Sequence, residues 1–183
     1  MLKNSIVGYG WISIGLHWLS ALAIFGMFGL GLYMVDLTYY DDFYKTGPYI
    51  HKSVGVLLAF LMVARLLWKT ASPKVAPLLS HQPWEVRLAH GVHQLLYVIF
   101  FMLVVSGYLI SSADGSSIEV FGMFSVPSVI DSIDNLEDIA GEIHEYLAWL
   151  LIVLVVFHVL GAMKHHFIDK DNTLRRMLFP NEK

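Results

Sequence analysis

Cysteine is absent from the 183 residues. Its absence excludes disulfides, thiolate-held iron–sulfur clusters, cysteine zinc sites and covalent c-type haem attachment through C-x-x-C-H. Charge is scarce as well. Asp, Glu, Lys and Arg make up 15% of the chain, against 56% hydrophobic residues and a mean hydropathy of +0.60. Soluble domains carry about a quarter charged residues, so this composition implies an integral membrane protein surrounded by lipid. The net charge of −3 is small, and no nucleic-acid partner is expected. Internal repeats and low-complexity tracts are also lacking.

Four stretches are long and apolar enough to span a bilayer, at about 11–35, 48–68, 88–112 and 141–163. The first has no acidic or basic residue apart from His17 between Lys3 and Asp36, and it is too long for a signal-peptide core. Lys52 and Arg65 lie near the two ends of the second, where long side chains can snorkel to the interface. Breakers separate the spans, among them Gly47, Pro48, Pro73, Pro77, Asp114, Gly115 and Pro127. The expected fold is an all-α four-transmembrane-helix bundle forming a single membrane domain, with residues 164–183 as a cytoplasmic tail.

Basic residues set the orientation. Lys3, Arg65, Lys69, Lys74, Arg87, Lys164, Lys170, Arg175, Arg176 and Lys183 fall on the side shared by the termini, leaving Lys45 and Lys52 opposite. The positive-inside rule then makes both termini cytoplasmic. The loop between the third and fourth spans carries Asp114, Glu119, Asp131, Asp134, Glu137 and Asp138 and no basic residue, so the outer face is acidic. In that loop Ile130, Ile133, Leu136, Ile139 and Ile143 recur at helical steps, predicting a short amphipathic helix that leads into the fourth span. Trp11, Tyr39, Tyr40, Tyr44, Tyr49 and Trp84 suit interfacial belts.

Histidines carry the functional signal. His144 and His158, fourteen positions apart on the fourth span, return to nearly the same helix face about 21 Å apart along the axis. His17 matches the depth of His158 on the cytoplasmic side, and His51 matches the depth of His144 near the outer surface. Two histidine pairs at two depths are the layout of a two-haem electron path, and without cysteine any haem must be held non-covalently. Two axial histidines saturate an iron and favour electron transfer over oxygen chemistry. His90 and His93, on one face of the third span, compete with His17 as partners of His158. A lone histidine near a helix end is ordinarily interfacial, and His81, His165 and His166 read as solvated. Gly15, Gly26, Gly29, Gly31, Gly55, Gly107 and Gly161 permit close approach of a macrocycle or of a neighbouring helix. Arg65 and Lys52 suit haem propionates or membrane-end anchoring alike.

The run Tyr9-Gly10-Trp11-Ile12-Ser13-Ile14-Gly15-Leu16-His17-Trp18, the segment Ile50-His51-Lys52-Ser53-Val54-Gly55, the pair His144 and His158, and the tail 165–174 resemble the bacterial cytochrome b561 family. The resemblance covers nearly the whole chain. It implies an inner-membrane respiratory-chain protein with two haem b groups, ligated by His17 with His158 and by His51 with His144. It also implies exchange of electrons with ubiquinone of the quinone pool, contacts from His93 and His165 to the quinone, and superoxide oxidation as an associated activity. A periplasmic electron-transfer partner is a further expectation.

Two other classes compete with a quinone-linked oxidoreductase. A haem-bearing anchor of a larger dehydrogenase or hydrogenase would use the same histidine pairs. A histidine-lined transporter would place carboxylates near the bilayer centre, and the four spans have none there.

Overall fold

The computed structural model describes residues 1–180 and is built on four long helices: α1 (Trp11–Val35), α2 (Thr46–Ala71), α3 (Pro83–Ser112) and α4 (Leu136–Met163). All four are long and apolar enough to cross a membrane. Along their middles they expose large apolar residues such as Leu22, Phe25, Phe60, Leu67, Val98, Val105, Val153 and Phe157. Such faces would be unstable against water and suit lipid, where helices satisfy their backbone groups internally. The fold is an all-α four-span bundle with one addition. A hairpin pairs β1 (Ile118–Val120) antiparallel with β2 (Phe124–Val126). Its turn closes through the Met123 N–H donating to Val120 O at 2.9 Å, with Phe121 and Gly122 both at positive φ.

α1 occupies the expected 11–35, and the other helices run longer than their apolar cores. α3 begins at Pro83, whose missing N–H costs nothing at a first helical position. Glu85 reaches back to accept from the Gln82 N–H at 2.9 Å, which closes the end in the manner of a capping box. α4 begins at Leu136, just after Asn135 at φ 62°, with Glu137 and Asp138 in its first turn favouring the positive end of the helix dipole. The helix expected to lead into the fourth span is present but shorter than the pattern suggests, and it is continuous with the span. Its later positions, Leu136, Ile139 and Ile143, are the opening turns of α4 itself, and Ile130 and Ile133 lie in irregular chain.

The chain divides into two compact units. The first comprises Met1–Ser20, Leu61–Val98 and the described part of Leu151–Lys183; Lys183 of the basic tail lies outside the described residues. Here the N-terminal segment folds back on the start of α1, where free helix N–H groups need partners. Trp11 N–H donates to Met1 O at 3.1 Å, Ile12 N–H to Leu2 O at 3.3 Å and Gly10 N–H to Asn4 Oδ1 at 3.0 Å. Only glycine fits at position 10, because a Cβ there would lie 2.3 Å from Leu2 O. The tail is tied in by Trp18 Nε1–H donating to Met177 O at 2.6 Å and by Arg176 Nη1 donating to Ala76 O at 2.9 Å.

The second unit comprises Ala21–Phe60 and Ile99–Leu150. Fully buried Ser53 on α2 holds the hairpin, accepting from the Phe121 N–H at 3.3 Å. Tyr108 on α3 holds the loop that follows: its hydroxyl donates to Pro127 O at 2.9 Å and accepts from the Val129 N–H at 2.8 Å.

Candidate haem-binding histidine pairs

In the second unit, His51 of α2 faces His144 of α4 with ring centroids 6.3 Å apart and planes at 69°. His144 is held by α3. Its Nδ1 lies 3.1 Å from Leu103 O and 3.0 Å from Ser106 Oγ. A carbonyl can only accept, so Nδ1 carries the hydrogen and Nε2 keeps its lone pair for a metal. Ser106 Oγ in turn donates to Leu103 O at 3.0 Å, which leaves its own lone pair for the imidazole. Gly107 lies against the same ring, and a Cβ there would sit 3.1 Å from His144 Cε1. His51 Nδ1 is buried without a hydrogen-bond partner.

In the first unit, His17 of α1 faces His158 of α4 at 6.2 Å and 63°. His93 of α3 also lies against His158, but at 5.1 Å. The difference matters chemically. Two imidazoles on opposite sides of one metal, each bonded at about 2 Å, have centroids roughly 6 Å apart. Both 6.2 Å and 6.3 Å match that spacing, whereas 5.1 Å is an ordinary ring contact. The residues therefore fit a bis-histidine iron at His17 with His158 and at His51 with His144.

Arg65 departs from a snorkelling anchor. It is half-buried, with Nη1 donating to Ser20 Oγ and Nη2 donating to His17 Nδ1, each at 2.7 Å; a guanidinium only donates, so ligation through His17 Nε2 requires Arg65 to leave Nδ1. Fully buried Ser20 is itself anchored to Leu16 O and His17 O at 2.8 and 2.9 Å. Tyr97 adds a ring 5.8 Å from the guanidinium. Lys52 is exposed, and so is His166.

His81 and His165 differ from the expected solvated residues. Their rings lie 4.5 Å apart, each side chain only 16% exposed. A π-helical turn over Lys164–Ile168 carries His165 beyond the end of α4, and the tail then returns Asp171 to both rings. The polar sequence around each residue gave no hint of this, because the pairing spans the 72–82 loop and the tail.

Four apolar helices carrying facing histidine pairs fit the class of multi-pass membrane cytochromes. The family model for prokaryotic cytochrome b561 matches residues 8–180. The chain is 50% identical over 175 residues to "Cytochrome b561 homolog 2" of Escherichia coli (strain K12), covering 96% of this chain and 93% of that protein. It is 32% identical over 171 residues to "Probable superoxide oxidase CybB" of Yersinia pestis, covering 93% and 95%. "Cytochrome b561 homolog 1" of Escherichia coli (strain K12) is 30% identical over 130 residues, covering 70% and 72%. The chain belongs to the prokaryotic cytochrome b561 family, a family of bacterial membrane electron-transfer proteins carrying b-type haem.

Proposed function

We propose that this protein is a diheme cytochrome of the inner membrane that exchanges electrons with ubiquinone, with both termini in the cytoplasm. The observation that carries the reading is the spacing of two separate histidine pairs, 6.2 and 6.3 Å. His17 and His158 would hold the haem on the cytoplasmic side, and His51 and His144 the one on the periplasmic side. Iron with two axial histidines supplies one-electron transfer and offers no open position for oxygen.

The chain's own part is to orient and charge these sites. Leu103 O and Ser106 Oγ fix the tautomer and the plane of His144. Arg65 sets a positive charge beside His17 and is the cation placed to meet a haem propionate there; exposed Lys52 is the candidate on the other side. His93, packed on His158 and too close to it to share a metal, is free to hydrogen-bond a quinone carbonyl. His165 would offer its Nε2 for the same task, since its Nδ1 faces carboxylates.

The test is a pyridine haemochrome assay against protein mass, joined to haem reduction by ubiquinol in detergent. The reading expects two haems per chain, one in His51→Ala, and full haem content with slowed ubiquinol reaction in His93→Ala. One haem or none in the wild-type protein contradicts the diheme reading. Unchanged ubiquinol kinetics in His93→Ala contradicts its quinone role.

A further inference from the structure

The first unit contains a second constellation of ligating groups outside the facing pairs, made by His81 in the loop before α3, His165 in the π-helical turn and Asp171 in the tail. His81 Nε2 lies 3.1 Å from Asp171 Oδ2, and His165 Nδ1 lies 3.2 Å from the same oxygen. All three ligand atoms fall within 4.8 Å of one another. A tetrahedral ion with bonds of about 2.0–2.2 Å to imidazole nitrogen and carboxylate oxygen has its ligand atoms roughly 3.3–3.6 Å apart. The two edges, 3.1 and 3.2 Å, lie just short of that range's lower limit, so small outward shifts would admit an ion.

Two further observations separate this cluster from a merely hydrogen-bonded one. His165 Nδ1 is buried, lies 2.8 and 3.2 Å from oxygens of Asp169 and Asp171, and still makes no hydrogen bond of acceptable angle. This nitrogen thus lies between two carboxylate oxygens with no well-aligned hydrogen bond to either. The adjoining group of Glu85, His165 and Asp169 already holds a cation, because Lys164 Nζ bonds both Glu85 and Asp169. Among the described residues, no lysine or arginine pairs with Asp171. Its other carboxylate oxygen accepts from the Thr173 N–H at 2.8 Å, which orients the carboxylate.

We propose that His81, His165 and Asp171 form a binding site for a divalent ion of the zinc class. Three protein ligands leave a fourth position, beside which the Thr173 hydroxyl lies, 3.0 Å from His81 Nε2. Nitrogen-rich mixed sites of this kind suit zinc and neighbouring transition ions over magnesium or calcium, which require oxygen shells. Loading would tie the 72–82 loop to the tail. It would engage Nδ1 of His165 and leave Nε2, so the proposal stands apart from the quinone reading.

The experiment uses tag-free, haem-loaded protein in detergent, washed with chelator and dialysed against micromolar Zn2+, with metal counted per chain and the unfolding temperature recorded. One zinc per chain and a raised unfolding temperature are expected. His81→Ala should weaken binding at least 100-fold with an unchanged haem spectrum, which shows that the variant is folded. His166→Ala, at an exposed position, should bind as the wild-type protein does. No zinc bound at these concentrations would overturn the proposal, and so would equal binding by wild type and His81→Ala. Because metal is counted directly, neither result depends on quinone activity.

Discussion

At the scale of single residues, the histidines owe their readiness to their neighbours. His144 is aimed by a carbonyl and a hydroxyl from α3, and partners of this kind typically change metal affinity 10- to 100-fold when lost. Ser106→Ala keeps the Leu103 carbonyl, so about a 10-fold loss of affinity for one of the two haems is expected, measured by titrating haem into apoprotein. Gly107→Ala acts by a different route: a Cβ 3.1 Å from His144 Cε1 must push the ring by a few tenths of an ångström, so that haem's optical spectrum should shift with little loss of fold. The histidines themselves were legible in the sequence, because equal depths on antiparallel helices follow from 1.5 Å per residue. Their supports were not. Leu103 contributes a backbone oxygen that no side-chain pattern records. The pattern leaves Arg65 equally suited to a haem propionate and to membrane-end anchoring, and it does not reveal the contacts to Ser20 and His17. Depth alone does not separate His17 from His93; the family resemblance favours His17, and the 6.2 against 5.1 Å separations support that reading.

At the scale of elements, the spans were legible because lipid demands long apolar helices. Their ends depended on capping and charge, which extend α3 to Pro83 and α4 to Leu136 past the apolar runs. The hairpin escaped because its strands hold three residues each, although Ile118-Glu119-Val120 and Phe124-Ser125-Val126 flank Gly122 in a strand-like alternation. The N-terminal wrap also depends on one close approach that periodicity cannot show. Gly10→Ala would bring a Cβ within 2.3–2.5 Å of the Leu2 and Lys3 backbone. Displacing that wrap should cost about 1–3 kcal/mol, as overpacking does, read as a lowered midpoint in denaturant unfolding with the α1 sequence otherwise intact.

At the scale of the whole molecule, charge decides which donors can approach. The second unit exposes Asp36, Asp41, Asp42, Asp114, Glu119, Asp131, Asp134, Glu137, Asp138, Glu142 and Glu145, with Lys45 and Lys52 as its lysines. Hydrogen bonds from Thr38 hold Asp41, and hydrogen bonds from Ser116 hold Asp114, below the usual carboxylate range; both stay anionic as pH falls to their depressed values. Such a surface repels a small anion and attracts cations. Despite the 32% identical relative named a probable superoxide oxidase, slow haem reduction by superoxide is expected. It should accelerate as salt screens the repulsion over about 10 Å at 0.1 M, and a basic periplasmic protein should show the opposite salt dependence. A fast superoxide reaction that slows with added salt would contradict this account.

The central claim is that His17, and not His93, shares an iron with His158 while His51 and His144 hold a second. Haem content per chain in purified His17→Ala and His93→Ala, set beside the wild-type protein by the pyridine haemochrome assay, tests it most directly. The account predicts two haems in the wild type, one in His17→Ala and two in His93→Ala. Two haems retained in His17→Ala, with one lost in His93→Ala, would contradict it.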